Sequence, residues 1–311
     1  MRQAGDGPRI PDRALVLPVR LIPVLLALAW GLNWPAVKIM LAVLPPFTLR
    51  ALGLGGGALL LLALALLQGK APWPPRAGWP AVWVGGVLTV AGFNFCTAFA
   101  QLSTSTSRAA VLTFTTPMMA AALAWVFLGE RPGRRGAAAL ALGSVGVLVL
   151  AWPVLQQASH GGPLRGLLLP LAAALCWALG TVAAKRWPPV GDRIVVTAWQ
   201  LLLGACSGAV AALVVGETLP TLWPTPVWLA MAYHVVIATS VAYVLWYRLL
   251  ASTSATASSL AVLAVPVVGV LGAMVLVGDR PSAADWLGFA LVLGGAALVV
   301  LRLPRRIKPP G

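Results

Sequence analysis

Ten long apolar runs follow one another along this chain of 311 residues, separated by short polar connections. Each run is close to the ~20 residues that an α-helix needs to cross the hydrocarbon core of a bilayer. The runs are too long and too uniformly apolar for the alternating strands of a membrane β-barrel. The sequence therefore predicts an all-α membrane protein with ten transmembrane helices, at 19–38, 46–68, 79–101, 106–128, 134–152, 165–186, 192–215, 224–249, 254–277 and 283–302.

Composition agrees with this prediction and excludes several classes of protein. Hydrophobic residues make up 60% of the chain and charged residues only 9%, so a soluble domain could not cover its surface. The three cysteines lie inside apolar runs without metal-ligand spacing. The sequence contains neither a nucleophile paired with a base nor a phosphate-binding loop. We therefore expect no enzymatic activity, no cofactor and no metal site.

The positive charges are distributed unevenly between the two sides of the predicted helices. The formal net charge is +15, and seventeen of the 22 basic residues fall on one side if the N-terminus is cytoplasmic. The positive-inside rule then places both termini in the cytoplasm. The basic surplus would face the anionic lipids of the bilayer. A nucleic-acid partner is not expected, because no soluble basic domain is present.

The second half of the chain repeats the first. "LGERP" from Leu128 recurs as "VGDRP" from Val277, with the acids of the two segments 149 positions apart. The same offset aligns the preceding helices and brings Pro117 onto Pro266, each in the middle of an apolar run. Two copies of a five-helix unit explain the pattern. Since five is odd, the second copy must enter the membrane from the opposite side, and inverted repeats of this kind are typical of secondary transporters.

The first helix of each copy carries a second shared motif. "WGLNWPAVK" from Trp30 aligns with "WALGTVAAK" from Trp177 at an offset of 147. The predicted organisation is a cytoplasmic tail at 1–17, a first repeat at 18–155, a second repeat at 156–303 and a cytoplasmic tail at 304–311.

These motifs resemble those of a known family. A first helix with Trp that ends in Lys, and a fourth helix that runs through a mid-span Pro into G-[ED]-R-P, are similar to the EamA-type members of the drug/metabolite transporter (DMT) superfamily. Within that superfamily the chain is most similar to the YddG-type exporters of aromatic amino acids, which are bacterial inner-membrane proteins. The resemblance covers about 18–303. It implies that helices 1, 3, 4, 6, 8 and 9 surround a central cavity, with helices 5 and 10 peripheral.

Helical spacing predicts which side chains face that cavity. Aromatic and polar residues share one face of helix 1, and this face recurs in helix 6. A polar stripe on helix 3 aligns with a largely aromatic stripe on helix 8. The predicted substrate-binding residues are Trp30, Asn33, Trp34, Asn94, Thr97, Gln101, Thr113, Pro117, Trp177, Thr181, Tyr243, Trp246, Tyr247 and Pro266. Hydrogen bonding between helices is the alternative explanation of the polar members, and spacing leaves both open.

The two mid-span prolines also allow two interpretations. Each removes a helical hydrogen bond, which exposes a carbonyl that could bind a ligand or could simply accompany a packing kink. Thr113 and Thr116 share the face of Pro117 and could satisfy the freed backbone.

Ionisable residues restrict the mechanism. All seven acids fall in tails, loops or helix ends, so no carboxylate is expected in the middle of the membrane. His234 could be a proton site or a contact between helices. Lys38 could attract a substrate carboxylate, or it could extend to the membrane interface, as could Arg50.

Three functions compete for such a chain: a secondary transporter, a membrane-embedded transferase, and a structural or channel-like protein. A transferase would need an acid or a basic cluster inside the membrane, and none is expected. The sequence therefore predicts an inner-membrane transporter that exports small amphipathic metabolites, amino acids including aromatic ones, by alternating access. Its partners would be the small-molecule substrate and the lipid bilayer. The sequence leaves the oligomeric state open, and a monomer is compatible with it.

Overall fold

The structure is a computed structural model that describes residues 21–128, 133–159, 164–245 and 255–300. Within these ranges the regular elements are all helical, and no strand occurs. The α-helices, in chain order, are α1 (Ile22–Gly31), α2 (Asn33–Leu41), α3 (Pro46–Leu67), α4 (Trp79–Val84), α5 (Phe93–Ser103), α6 (Thr106–Thr113), α7 (Thr116–Leu128), α8 (Arg134–Ser159), α9 (Arg165–Arg186), α10 (Arg193–Val215), α11 (Thr225–Ala232), α12 (Ala255–Leu276) and α13 (Ala283–Val300).

Eight helical stretches of the described chain are long and apolar enough to cross a membrane. They are Ile22–Leu41, Pro46–Leu67, Arg76–Ser103, Thr106–Phe127, Arg134–Pro153, Arg165–Ala184, Arg193–Val215 and Thr225–Leu245. Two further apolar helices, α12 and α13, lie where the sequence predicts the ninth and tenth spans. The all-helical membrane fold is thus confirmed for the described ranges, and the total of ten spans stays a prediction.

Two of these stretches change from α-helix to π-helix in their middle, which the sequence analysis did not predict. The first segment, π1 (Gly85–Gly92), joins α4 to α5, and the second, π2 (Tyr233–Val241), follows α11. π-Helical segments are rare and are often found at functional positions. The 149-residue offset carries 85–92 onto 234–241, so π1 and π2 occupy twin positions of the repeat.

The helices pack in pairs that the repeat relates to one another. α3 packs along α10, and α8 packs along α13. The contact of α1 with α12 has its twin in the contact of α9 with α6 and α7. The α3–α10 crossing shows the relation in detail, because Gly57 faces Leu201 while its twin Gly204 faces Leu54. The two halves therefore share one packing scheme.

Small residues allow α3 to approach π2 closely. A Cβ atom at Gly53 would lie 2.5 Å from His234 Cδ2, and one at Gly57 would overlap the methyl group of Thr239. In lipid, apolar surfaces gain little by associating, so close packing at small residues contributes much of the attraction between helices. This close approach places His234 against the face of α3.

Acids of the second half bind the starts of two helices in the first half. Glu217 Oε2 accepts a hydrogen bond from the backbone N–H of Thr48 at 2.7 Å, near the start of α3. Asp279 Oδ2 accepts from the backbone N–H of Ser107 at 2.7 Å and from its hydroxyl at 2.9 Å, at the start of α6. Carboxylates at these positions satisfy free N–H groups and complement the helix dipole.

Ion pairs join the two halves at both ends of the Arg76–Ser103 stretch. Arg108 and Asp285 are 2.6 Å apart beside the start of α6, and Lys70 and Asp192 are 2.8 Å apart beyond the end of α3. Burial alone would raise the pKa of Asp192, but hydrogen bonds from Lys70 and from two backbone amides of α10 outweigh it and lower the pKa below its usual value.

Candidate functional site

A buried arginine lies at the centre of a polar cluster between α3, α5 and π2. Arg50 is only 2% exposed. Its Nε donates to the backbone carbonyl of Asn94 at 3.0 Å, and its Nη2 donates to Thr97 Oγ1 at 3.1 Å. Both acceptors belong to residues of the polar stripe that the sequence predicts on helix 3.

His234 completes this cluster from the other side. The imidazole is 2% exposed, and its Nδ1 lies 2.7 Å from Asn33 Oδ1. Its edge packs on Gly53, which follows Arg50 by one turn on the same face of α3. Arg50 Nη1 and His234 Nε2 make no hydrogen bond to the residues that the structure describes.

An aromatic pair borders the polar cluster. The rings of Trp30 and Tyr243 meet edge to face with centroids 6.0 Å apart, a favourable geometry for aromatic side chains. Trp30 Nε1 donates to the carbonyl of Ala238 at 3.0 Å. Trp30 precedes Asn33 by about one turn, and Ala238 follows His234 by about one turn. Aromatic and ionic groups are therefore adjacent, as a small amphipathic ligand would require.

Lys38 and Gln101 meet at a separate position, about two turns beyond Asn94 along α5. Lys38 Nζ donates to the backbone carbonyl of Gln101. The Gln101 side chain is buried, and its Oε1 accepts from Thr106 Oγ1 at 3.4 Å. These polar groups thus make the contacts between helices that the sequence analysis left as an alternative.

The other predicted aromatic residues occupy different surroundings. Trp34 is buried against three alanines of α5 and α6. Trp177 meets Phe93 edge to face at 4.8 Å. Thr181 is exposed and donates to the carbonyl of Trp177 on its own helix at 2.9 Å. None of these contacts of the three predicted residues involves Arg50 or His234.

The two proline positions differ. In the first half the helix is interrupted between α6 and α7, and Thr116 Oγ1 donates to the carbonyl of Thr113 at 2.7 Å. That carbonyl is the one that Pro117 cannot bond for lack of an N–H. The hydroxyl of Thr113 is buried and donates to Ala110. In the second half α12 continues through the buried Pro266.

Part of the predicted site falls outside the described structure. Trp246 and Tyr247 lie outside the described residues, and the side chain of Pro117 is not described. A cavity of about 210 Å³ between α3 and π2 contains none of the predicted residues; it is lined by Leu60, Leu61, Leu64, Ser240, Val241, Val244 and Leu245.

The expectation that Arg50 extends to the membrane interface is wrong, because its side chain is buried and donates hydrogen bonds to Asn94 and Thr97 of α5. A signal for this burial was present in the sequence. Arg50 shares a helical face with Gly53 and Gly57, and small residues mark the face through which a membrane helix packs. A basic residue on such a face points into the bundle.

Comparison with known proteins gives the family. A model of the EamA-like transporter family matches residues 19–152 and again residues 164–301. The chain is 27% identical to the aromatic amino acid exporter YddG of Ancylobacter novellus, over 84% of this chain and 90% of that protein. It is also 27% identical to a probable amino-acid metabolite efflux pump of Escherichia coli strain K12, over 91% of this chain and 94% of that protein.

A solved crystal structure has the same fold, with a TM-score of 0.62 and 27% identity over 90% of this chain and 95% of the other. The resemblance that the repeated motifs indicated is confirmed. Because the family match takes in most of the chain and occurs twice, this multi-span membrane protein belongs to the EamA-like transporter family of the DMT superfamily.

Proposed function

We propose that this protein is a secondary transporter of the bacterial inner membrane that exports amino acids, including aromatic ones. The observation that carries the proposal is the Trp30–Tyr243 pair beside the Arg50–His234 cluster. These residues come from both halves of the chain, and transporters with repeats bind substrate where the repeats meet. The names of the two relatives, an exporter and a probable efflux pump, support the same class.

The proposed architecture has ten spans in two inverted five-helix repeats, 18–155 and 156–303, around a central cavity, with both termini cytoplasmic. Cysteine labelling of a variant without Cys96, Cys176 and Cys206 tests the inversion. A cysteine at Ser159 should react with an impermeant thiol reagent from outside the cell, and one at Arg134 should react only after permeabilisation. The opposite labelling would overturn the orientation.

Alternating access would act on the contacts that join the halves at both ends. The Arg108–Asp285 pair and the Asp279–Ser107 bonds join the halves at one end, and the Lys70–Asp192 pair joins them at the other. In the proposed cycle one set separates while the other forms, and the aromatic and polar groups between them stay in place. The transported molecule thus meets each side of the membrane in turn.

The test is flux in liposomes that contain the purified protein. Trp30→Ala and Tyr243→Ala should weaken transport of phenylalanine and tryptophan more than transport of alanine. An aromatic pair contributes about 0.5–1.5 kcal/mol beyond burial, so the apparent KM for aromatic substrates should rise by several-fold to about tenfold. Trp223→Ala is the matched control, because Trp223 contacts Trp228 and not the polar cluster.

Two outcomes would contradict the proposal. Equal loss for every substrate in both variants, at an unchanged protein level, would show that the aromatic pair only packs the bundle. Flux that never saturates with solute would favour a channel over a transporter.

A further inference from the structure

The buried guanidinium of Arg50 has no negative partner among the described residues. Its hydrogen bonds go to two uncharged oxygens. The described acids are each bound elsewhere: Asp192 to Lys70, Glu217 to Thr48, Asp279 to Ser107 and Asp285 to Arg108. Taking a charge out of water is costly unless an opposite charge compensates it. The surroundings of Arg50 therefore favour an anion.

The two nitrogens without partners have opposite hydrogen-bonding character. Arg50 Nη1 can only donate. At His234, the oxygen Asn33 Oδ1 faces Nδ1 at 2.7 Å, and an amide oxygen can only accept, so Nδ1 carries the proton. A neutral imidazole protonated at Nδ1 leaves Nε2 as an acceptor. A donor with positive charge thus lies beside a neutral acceptor on one face of α3.

The positions that the repeat relates to this cluster lack its polar groups. The offsets of the repeat carry Arg50 onto Thr197, His234 onto Gly85 and Asn33 onto Gly180. Yet α10 packs against π1 as α3 packs against π2. The shared packing scheme therefore does not need an arginine and a histidine, and we take binding as the reason for their presence at the α3–π2 contact.

An α-amino acid matches this pair. Its carboxylate accepts hydrogen bonds and carries negative charge, and its ammonium group donates them from the same carbon. We propose that Arg50 Nη1 binds the carboxylate, and His234 Nε2 binds the α-ammonium group, of the transported amino acid. This inference rests on the proposed function and names the contacts within that site. The side chain of the substrate then lies toward Trp30 and Tyr243.

The unmodified protein gives the first test. L-phenylalanine, L-phenylalaninamide, which lacks the carboxylate, and 3-phenylpropionate, which lacks the ammonium group, compete against radiolabelled phenylalanine counterflow in liposomes. Phenylalanine should compete about tenfold better than either analogue, because a polar site rejects a ligand that leaves its groups unpaired. If either analogue competes as well as phenylalanine, the inference is wrong.

Variants assign each group to its partner. Arg50→Gln should weaken competition by phenylalanine by about tenfold or more and leave competition by phenylalaninamide unchanged. His234→Asn keeps an amide N–H near the Nδ1 position but removes the acceptor at the Nε2 position. It should therefore weaken competition by phenylalanine and leave competition by 3-phenylpropionate unchanged. His234→Gln, whose amide oxygen reaches the Nε2 position, should retain most of the binding. Arg76→Gln, which removes an exposed positive charge away from the cluster, should change competition by none of the three.

Equal weakening of all three compounds by Arg50→Gln and His234→Asn would show a purely structural role and overturn the inference. Gel filtration and thermal unfolding confirm that each variant is folded, and Arg50→Lys, which keeps the charge, replaces Arg50→Gln if that variant is not. Absence of saturable amino-acid transport by the unmodified protein would instead contradict the proposed function. Saturable transport with equal competition by the three compounds contradicts only the site assigned to Arg50 and His234.

Discussion

The two halves of the molecule share a backbone scheme but differ in the chemistry of their twin positions. The α3–α10 crossing is symmetric, and π1 and π2 occupy twin positions. On that shared scheme, His234 packs on Gly53 at the α3–π2 contact, whereas at the twin α10–π1 contact Gln200 packs on Gly85 and donates to Ala81. The duplication thus preserved how helices approach one another, and the polar groups diverged. A substrate would therefore bind to different polar groups at twin positions, although the helices at those positions pack alike.

The contacts between the halves are asymmetric as well. Among the described residues, Glu217 and Asp279 of the second half bind helix starts of the first, while Asp192 caps α10 within its own half. The proline regions differ as well. The segment "TFTTP" at 113–117 supplies hydroxyl groups, whereas its twin "VLAVP" at 262–266 supplies none. Exchanging residues between twin positions is therefore the direct way to test the comparison.

The largest effect is expected from copying Gln200 into the first half as Gly53→Gln. A Cβ atom at this position would lie 2.5 Å from the His234 ring, and such overpacking costs about 3 kcal/mol. We expect a strong loss of thermal stability in detergent. Gly55→Ala is the control in the same helix, because its new Cβ would lie 3.6 Å from Ala205. Equal melting temperatures for the two variants would contradict the close approach of α3 and π2.

Removal of a cap between the halves should have a smaller effect. Asp279→Ala leaves the backbone N–H and the hydroxyl of Ser107 without their acceptor, and we expect a loss of about 1–2 kcal/mol. Hydrogen exchange should accelerate at the start of α6, in the first half, although the mutation lies in the second. Acceleration confined to the neighbourhood of residue 279 would contradict the cap.

Exchanging residues between the two proline regions should cost less stability still. Thr116→Val copies Val265 into the first half and removes the hydroxyl that binds the carbonyl of Thr113. The expected cost is about 1 kcal/mol, since a buried carbonyl loses its donor. The reverse exchange, Val265→Thr, should change stability less, because α12 is continuous there. Thermal unfolding of both variants measures the difference, and a larger loss for Val265→Thr would reverse the comparison.

The smallest effect concerns the Lys70–Asp192 pair. The folded state lowers the pKa of Asp192, so this carboxylate adds stability above the pKa of the unfolded chain, about 4, and the contribution disappears as the pH falls through the folded-state pKa. Because the pair is partly exposed, Asp192→Asn should cost less than about 1 kcal/mol at neutral pH. Unfolding measured from neutral to acidic pH should show the two proteins converging at low pH. A difference in stability between the two proteins that grows as the pH falls would contradict a lowered pKa of Asp192.

The sequence allowed most of the helices to be predicted and only part of the site. Hydropathy places the helices well, since a membrane span requires about 20 apolar residues, although α8 extends to Ser159, beyond its predicted end at 152. The π segments have no comparable signal, because their residues are as apolar as those of an α-helical span. The sequence analysis also assigned Trp30 and Tyr243 to one substrate-binding set, and their rings meet in the structure.

Spacing along α3 places Arg50 on the face of Gly53 and Gly57, but it could not show which groups bind the guanidinium. A basic residue near a helix end normally reaches water. Whether it does so depends on what packs over it, and here Arg50 is buried and bound to α5, while π2 packs on the same face of α3. The contact of His234 with Asn33 was one of two interpretations that the sequence left open, and only the three-dimensional packing showed the second ring nitrogen without a partner.

The twin π segments determine which way the helices that follow them face. A π turn holds one more residue than an α turn, and each residue of an α-helix adds about 100° of rotation. Deletion of a single residue between Gly85 and Gly92 would therefore turn the face that carries Asn94 and Thr97 away from Arg50. Because both halves carry a π segment at the twin position, the helix that follows has the same rotational phase in each, and the residues that differ between the halves are presented on equivalent faces.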